Sequence, residues 1–458
     1  MHEPSEGHSE ATDALAQGKL ADASSQAPPL PTGLRIKLSV MMFLQYAIWG
    51  AWLPLFFAFV TEYRHLPEDE VGTIFAMAAA GGLLAPFFAG QLADRFLNTE
   101  KFLAISHLIG APLIWMMSRV ETYSGFLIFG VAYSIVFAPT LSLTNSLAFH
   151  HLPDRDRDFS KVRIWGTVGW IAVGIGIGQY LLHFHTPAGA TPEMQHAAHV
   201  AGMADSFRLS ALLSVALGLF SLFLPKTPPQ TGSSKFAAGE ALGEIRRQPL
   251  LALFIIAFPI GIIHDYYYVL TAKFLGHLET TAGGVALTWK EAINSVFGVG
   301  GGGLMTLGQI SELAVLGFMP FFTKVLARKT LLTIGLVAYC VRFAVFAYFP
   351  TMPAVVPALL LHGLCFGCFY FVAFLVVDEN TTSDVRASAQ SLFNLLEIGL
   401  GTILGHFFSG YMTTVAKDAL TKEVNYKLVF GVPMWMAVAC LIAHLLFYPS
   451  GRATAARR

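Results

Sequence analysis

Glu312 stands near the middle of the apolar run GQISELAVLGFMPFF, Gly308–Phe322, with Gln309 three residues before it. An ionised side chain deep in hydrocarbon is costly unless it is paired or faces water. The amide can donate and accept, and the carboxylate can accept and exchange a proton. Other polar groups interrupt apolar runs in the same way. Asp265 follows His264 and precedes Tyr268 in GIIHDYYYVLTAKFL, Gly261–Leu275. His362 and Phe366 lie in LHGLCFGCFYF, and Glu397 follows Asn394 by three residues. Arg163, Thr167 and Trp170 are spaced by four and three, as are Gln45, Trp49 and Trp52. On a helix such offsets place side chains on one face. Cation, amide, hydroxyl and ring together suit a small, flat, polar solute, since ring stacking on a base contributes ~1–3 kcal/mol. Structural roles remain open at this point. Glu312 can pair with Arg342 on the next helix, and Arg163 can anchor an interface with Trp170 facing lipid. His264 and Asp265 can pair with other helices, His362 can be a satisfied donor, and Trp52 can sit at the interface.

Several chemistries lack their residues. The four cysteines all fall in apolar runs, and Cys365-x-x-Cys368 has no second pair, so they read as small packing groups. The glycine runs Gly174–Gly178 and Gly298–Gly303 are not followed by Lys-Ser/Thr and are not phosphate loops. Close packing on helix 5 and a flexible entry to helix 8 account for them. There is no recognisable nucleophile–base set, metal motif or ATPase motif, which speaks against an enzyme and for ion-driven transport. The lack of a sizeable soluble domain speaks against a receptor. Net charge is zero, which gives no reason to expect nucleic acid as a partner.

The elements that must hold these groups follow from composition. The chain has 458 residues, 55% hydrophobic and only 13% charged, which indicates a polytopic membrane protein. Segments of about 20 apolar residues predict twelve spans: 36–61, 71–94, 101–118, 122–147, 161–184, 206–224, 249–275, 302–323, 328–349, 353–377, 385–412 and 428–449. Residues 1–33 read as a disordered cytoplasmic tail and 451–458 as a second tail. The polar stretch 225–248 reads as a cytoplasmic linker between six-helix bundles at 34–224 and 249–450. Lys and Arg concentrate on the side of the termini, as at Arg35, Lys37, Arg155, Arg246 and Arg328, which places both termini in the cytoplasm. Six plus six helices about a basic central loop resembles the major facilitator transporters, an all-α membrane fold with a midplane site between its halves. The loop GQLADRFLNTEKF resembles that superfamily's signature. It assigns gating roles to Gly90, Asp94 and Arg95.

Six stretches together resemble the nucleoside:proton symporters: LQYAIWGAWL, APTLSLTNSLAF, VRIWGTVGW, GQISELAVLGFMPFF, VRFAVFAY and VRASAQSLFNLLEIGLGTILG. The resemblance covers roughly residues 35 to 450. It implies proton-coupled uptake of nucleosides by alternating access, in a monomer in the inner membrane, without cofactor. It also implies a substrate site of Arg163, Thr167, Trp170, Asp265, Tyr268, Gln309, Glu312, His362 and Phe366, to which the stripe on the first helix adds Gln45 and Trp49. Proton coupling falls to Glu312, Asp265 and Glu397. Two departures stand out. Asp265 and Tyr268 replace two amides of the family pattern, and Gly367 replaces an acid, so Glu397 is a candidate substitute. These changes leave open another small polar solute, such as a sugar, a modified nucleoside or a nucleobase.

Overall fold

Backbone N–H and C=O groups in hydrocarbon must be satisfied within their own segment, which leaves the helix as the default span. The computed structural model describes residues 28–80, 83, 98–228, 243–281, 285–381, 389, 392–418, 420 and 423–449. Among them, helices dominate and no strand forms beyond an isolated Lys417–Val424 bridge.

Helix α1 runs Thr32–Ala58 and ends in a wide π turn, Phe59–Tyr63. α2 is described over 68–80. α3 is Thr99–Met117, α4 Tyr123–His151 and α5 Arg155–Phe184. A short α6, Pro192–Gly202, leads into α7, Ala204–Ser221. The second half opens with α8, Leu250–Thr281, and a short α9, Val285–Phe297. α10, Gly302–Val325, and α11, Arg328–Tyr348, follow. α12, Met352–Glu379, is interrupted by a π turn at Cys365–Phe371, and α13, Leu392–Ala416, by another at Leu395–Gly401. α14 is Tyr426–Phe447.

Ten helices among the described residues are long and apolar enough to cross a membrane. The other two expected spans correspond to α2, which runs into undescribed residues, and α3, whose first turn carries Glu100 and Lys101. The short helices α6 and α9 and the three π turns were not expected. The expected tails and linker fall largely outside the described residues, as do Gly90, Asp94 and Arg95. Large apolar side chains such as Phe184, Phe223 and Leu446 point outward, which lipid tails accommodate.

Lipid is as apolar as leucine, so helices associate through close packing of small residues. A side-chain carbon at Gly169 of α5 would overlap the Phe43 carbonyl of α1, and one at Gly50 of α1 would sit 2.9 Å from the Trp170 ring. Gly261 of α8 and Gly401 of α13 meet in the same manner, and a carbon at Gly405 would sit 2.7 Å from the Ile262 carbonyl. Both halves therefore join their first and fifth spans through glycine.

Two seams connect the halves. At one, α5 lies on α10: a carbon at Gly174 would meet Thr306 at 2.8 Å. At the other, α2 lies on α13: a carbon at Gly72 would meet the His406 carbonyl at 2.8 Å. The second span of each half thus meets the fifth span of the other. Gly298, Gly300 and Gly301 take positive φ values of 74°, 82° and 77°, a region that favours glycine. Their turn lets Val299 N–H donate to the Gly178 carbonyl at 3.0 Å across the first seam.

At the end of the bundle that carries the α1–α2 turn, charges also bridge the halves. Lys417 Nζ donates to Glu68 Oε1 at 3.0 Å, and Lys273 Nζ lies 3.5 Å from the same oxygen. Lys273 also donates to Thr61 Oγ1 at 3.1 Å, and His196 pairs with Glu62 at 2.8 Å. Glu68 lies outside the expected span 71–94. Burial alone would push its carboxyl up, but Lys273 and Lys417 outweigh this and hold it below the usual glutamate range. The sign follows: the lowered value stabilises the bridged form above the ordinary glutamate range, and that contribution fades as pH falls through the lowered value. Breaking a buried pair costs ~3–5 kcal/mol; with Lys417 partly exposed, Glu68→Gln should weaken this bridge between the halves by roughly 1–3 kcal/mol. Spin labels at Asp69→Cys and Leu420→Cys should report a longer distance in that variant. An unchanged distance distribution would remove the bridging role.

Candidate functional site

The densest polar cluster lies in the second half, and a fully buried arginine organises it. Arg342 of α11 is 0% exposed, with its guanidinium 4.0 Å from the Tyr267 ring and 5.1 Å from those of Tyr339 and Phe343. Rings of this kind attract a desolvated cation by up to ~2 kcal/mol or more. Arg342 Nη1 also meets His362 Nδ1 at 3.1 Å. The alternative Glu312–Arg342 ion pair between α10 and α11 does not form, because aromatic faces and an imidazole enclose the guanidinium instead.

This contact fixes a tautomer. Guanidinium only donates, so His362 Nδ1 accepts and the imidazole proton sits on Nε2. Nε2 then donates to the Tyr268 hydroxyl at 3.0 Å and stands 3.7 Å from Glu312 Oε2. His362 is fully buried and both ring nitrogens are committed, so hydrogen bonding is its role in this arrangement. Gln309 Nε2 donates to the same Tyr268 oxygen at 3.4 Å. With both acceptor positions of that oxygen filled, the phenol's own hydrogen is left to donate elsewhere. Beside it, Gln309 Oε1 is buried with no hydrogen-bond partner. One donor and one acceptor thus stand side by side.

The first half supplies rings and a cation. Trp170 of α5 packs edge-on against Trp49 of α1 at 5.6 Å and against Tyr268 of α8 at 6.2 Å. This aromatic series crosses from one half to the other. Arg163 lies over the Tyr46 ring at 4.0 Å and within Coulombic reach of Glu312, which is 13% exposed. Trp165, two residues from Arg163, is 44% exposed, whereas Arg163, Thr167 and Trp170 are all half-buried. The lipid-facing alternative for Trp170 therefore fails.

Other expected site residues sit elsewhere. Gln45 is 0% exposed inside the first half, donating to Thr140 Oγ1 at 2.8 Å and meeting His107 Nε2 at 2.9 Å. Its amide is spent on packing α1 against α3 and α4. Trp52, on the same stripe, packs among Phe56, Tyr133 and Phe207. Phe366 stacks on Tyr370 at 5.8 Å within α12. Cys365 and Cys368 are buried and free.

Asp265 and Glu397 form a separate group where α8 crosses α13. Thr402 Oγ1 donates to Asp265 Oδ2 at 2.5 Å, and His406 Nε2 lies 4.0 Å from Asp265 Oδ1. Glu397, in the π turn of α13, is 1% exposed. Tyr370 lies beside it without reaching hydrogen-bond geometry, and both carboxylate oxygens lack partners. Asn394 was expected to share its face but is exposed, because the wider turn begins between the two. Sequence reasoning missed Thr402 and His406. Their offset of four from each other was the available signal.

A family model described as "Nucleoside H+ symporter" matches residues 32–452. YegT of Escherichia coli (strain K12) is 32% identical over 416 residues, covering 89% of this chain and 91% of its own. The nucleoside permease NupG of the same organism is 27% identical over 412 residues, covering 87% of this chain and 92% of its own. A crystal structure of a mutant of the nucleoside transporter NupG superposes with a TM-score of 0.77 at 24% identity, covering 90% of this chain and 99% of that one. The fold is thus that of the major facilitator transporters, with ten membrane-length helices among the described residues. Two-halved architecture, an aromatic series across the seam and a family match over residues 32–452 converge: this chain belongs to the nucleoside H+ symporter family, whose members are membrane transporters and not enzymes.

Proposed function

We propose that the chain takes up nucleosides with protons as a monomer in the inner membrane, with both termini cytoplasmic and residues 225–248 linking the halves. The observation that carries the reading is the series Trp49–Trp170–Tyr268, which runs from one half to the other beside Gln309 and Glu312. A nucleobase is flat and carries donors and acceptors on its edge. The rings supply stacking. The Tyr268 hydroxyl and the Gln309 carbonyl offer a donor–acceptor pair to that edge. Thr167, between Arg163 and Trp170 on α5, completes the wall once the halves separate.

Glu312 is the proton carrier of this reading. Its counter-charge, Arg163, belongs to the opposite half. When the halves rock apart, the arginine withdraws, and a carboxylate left in a low-dielectric setting needs a proton in its place. Arginine and proton therefore alternate at one group, which ties proton movement to the change of access.

Proteoliposomes should take up labelled uridine or adenosine faster under an inward proton gradient, and an uncoupler should remove the excess. Glu312→Gln should reduce uphill accumulation to simple equilibration while leaving protein in the membrane; accumulation at the unaltered level would defeat the carrier role. Trp170→Ala should weaken nucleoside binding by ~1–3 kcal/mol, the scale of base–ring stacking. Titration calorimetry giving the same Kd for both proteins would take Trp170 out of the site.

A further inference from the structure

The α2–α13 seam holds titratable groups that the substrate site does not use. Asp265 reaches it from α8, held by Thr402 from α13. His406 of α13 faces Asp265 with one ring nitrogen, and its other nitrogen, Nδ1, is buried without a hydrogen-bond partner. The imidazole packs against Phe75 of α2 at 4.8 Å, and the Phe75 backbone carbonyl lies beside it. A ring that belongs to the second half thus presses its unused nitrogen toward the first.

We propose that Asp265, Thr402 and His406 form a second proton site, separate from Glu312, that fastens α13 to α2 when it is loaded. The proposal rests on the proton-coupled reading above. With no proton bound, the pair is a carboxylate and a neutral imidazole, and Nδ1 or Nε2 lacks a hydrogen. One added proton gives an imidazolium with N–H on both nitrogens. Nε2–H then donates toward Asp265 Oδ1. The other N–H has the Phe75 carbonyl as its acceptor, across the seam. Loss of the proton removes one of these two bonds and loosens the contact.

The surroundings leave few competitors. From α8 the facing charged group is Asp265; from α13 come Thr402 and, beyond Asp265, Glu397. From α2 come Phe75 and the Gly72 backbone, with Glu68, Asp69 and Glu70 in the first turn of that helix, of which Glu68 is held by Lys273 and Lys417. Because Gly72 and Gly410 bring the two backbones together at this level, the seam has no room to absorb the change elsewhere. A proton entering with substrate would therefore close this seam, and its release would free the seam to reopen.

The test begins with the unaltered protein in proteoliposomes. If it fails to accumulate labelled uridine or adenosine on a proton gradient, the transport reading fails and this one with it. Given accumulation, His406→Gln should lower it about tenfold, within the range of site-to-site coupling, and flatten its pH profile. Radiolabel counterflow at equal pH should persist in that variant. Asp265→Asn should flatten the profile likewise, and the double variant should lose no more than the worse single one. His406→Asn repeats the test where glutamine does not fit. Independently, labels at Asp69→Cys and Leu420→Cys in otherwise unaltered protein should shift toward shorter distances as pH falls and the site loads. An unchanged pH profile in His406→Gln, fully multiplicative losses in the double variant, or distances indifferent to pH would each overturn the proposal.

Discussion

A charge in hydrocarbon survives only with a partner, and in this protein the partners of the key charges lie on other helices or across the divide between halves. Arg342 is enclosed by three rings and an imidazole of its own half, so it is held within that half. Glu312 is different: beyond His362 Nε2 at 3.7 Å, the cation that acts on it is Arg163 of the other half. A rigid pair would make a stable core and no transporter. A pair split between moving bodies makes the charge state depend on conformation.

The two seams carry this principle in parallel. Pairing the second span of each half with the fifth of the other produces two similar lines of contact, each tightened by glycine. At the α5–α10 seam lie the rings and the Arg163–Glu312 relation. At the α2–α13 seam lie Asp265, Thr402 and His406. Arg342 links the first set internally. By fixing the tautomer of His362 it aims Nε2–H at Tyr268 and Glu312, which in turn orients Gln309. The π turns in α12 and α13 stand next to these groups, as such irregular turns frequently do at functional sites.

Much of this was legible in the sequence because the membrane restricts the options. Apolar length marks the spans, and the offsets of three and four in Arg163–Thr167–Trp170 and Gln309–Glu312 give true shared faces. The same rule misplaced Gln45, since a face of α1 can look inward to α3 and α4 as readily as toward the other half. It also failed for Asn394 and Glu397, where a π turn shifts the register and no residue pattern announces the shift. The Arg342 cage was hidden for another reason. A lone cation in a span suggests an acid nearby, whereas aromatic partners leave no charge signature. His406 escaped because its meaning depends on Asp265 and Phe75, which are distant in sequence.

The central claim is that a carboxylate at position 312 exchanges an arginine for a proton as the halves move. Nucleoside-evoked current on a solid-supported membrane tests it most directly, because an uncharged nucleoside carries no current unless a proton travels with it. The account predicts a positive inward current from the unaltered protein that disappears in Glu312→Gln. Nucleoside uptake with no charge movement, or an undiminished current in that variant, would contradict it.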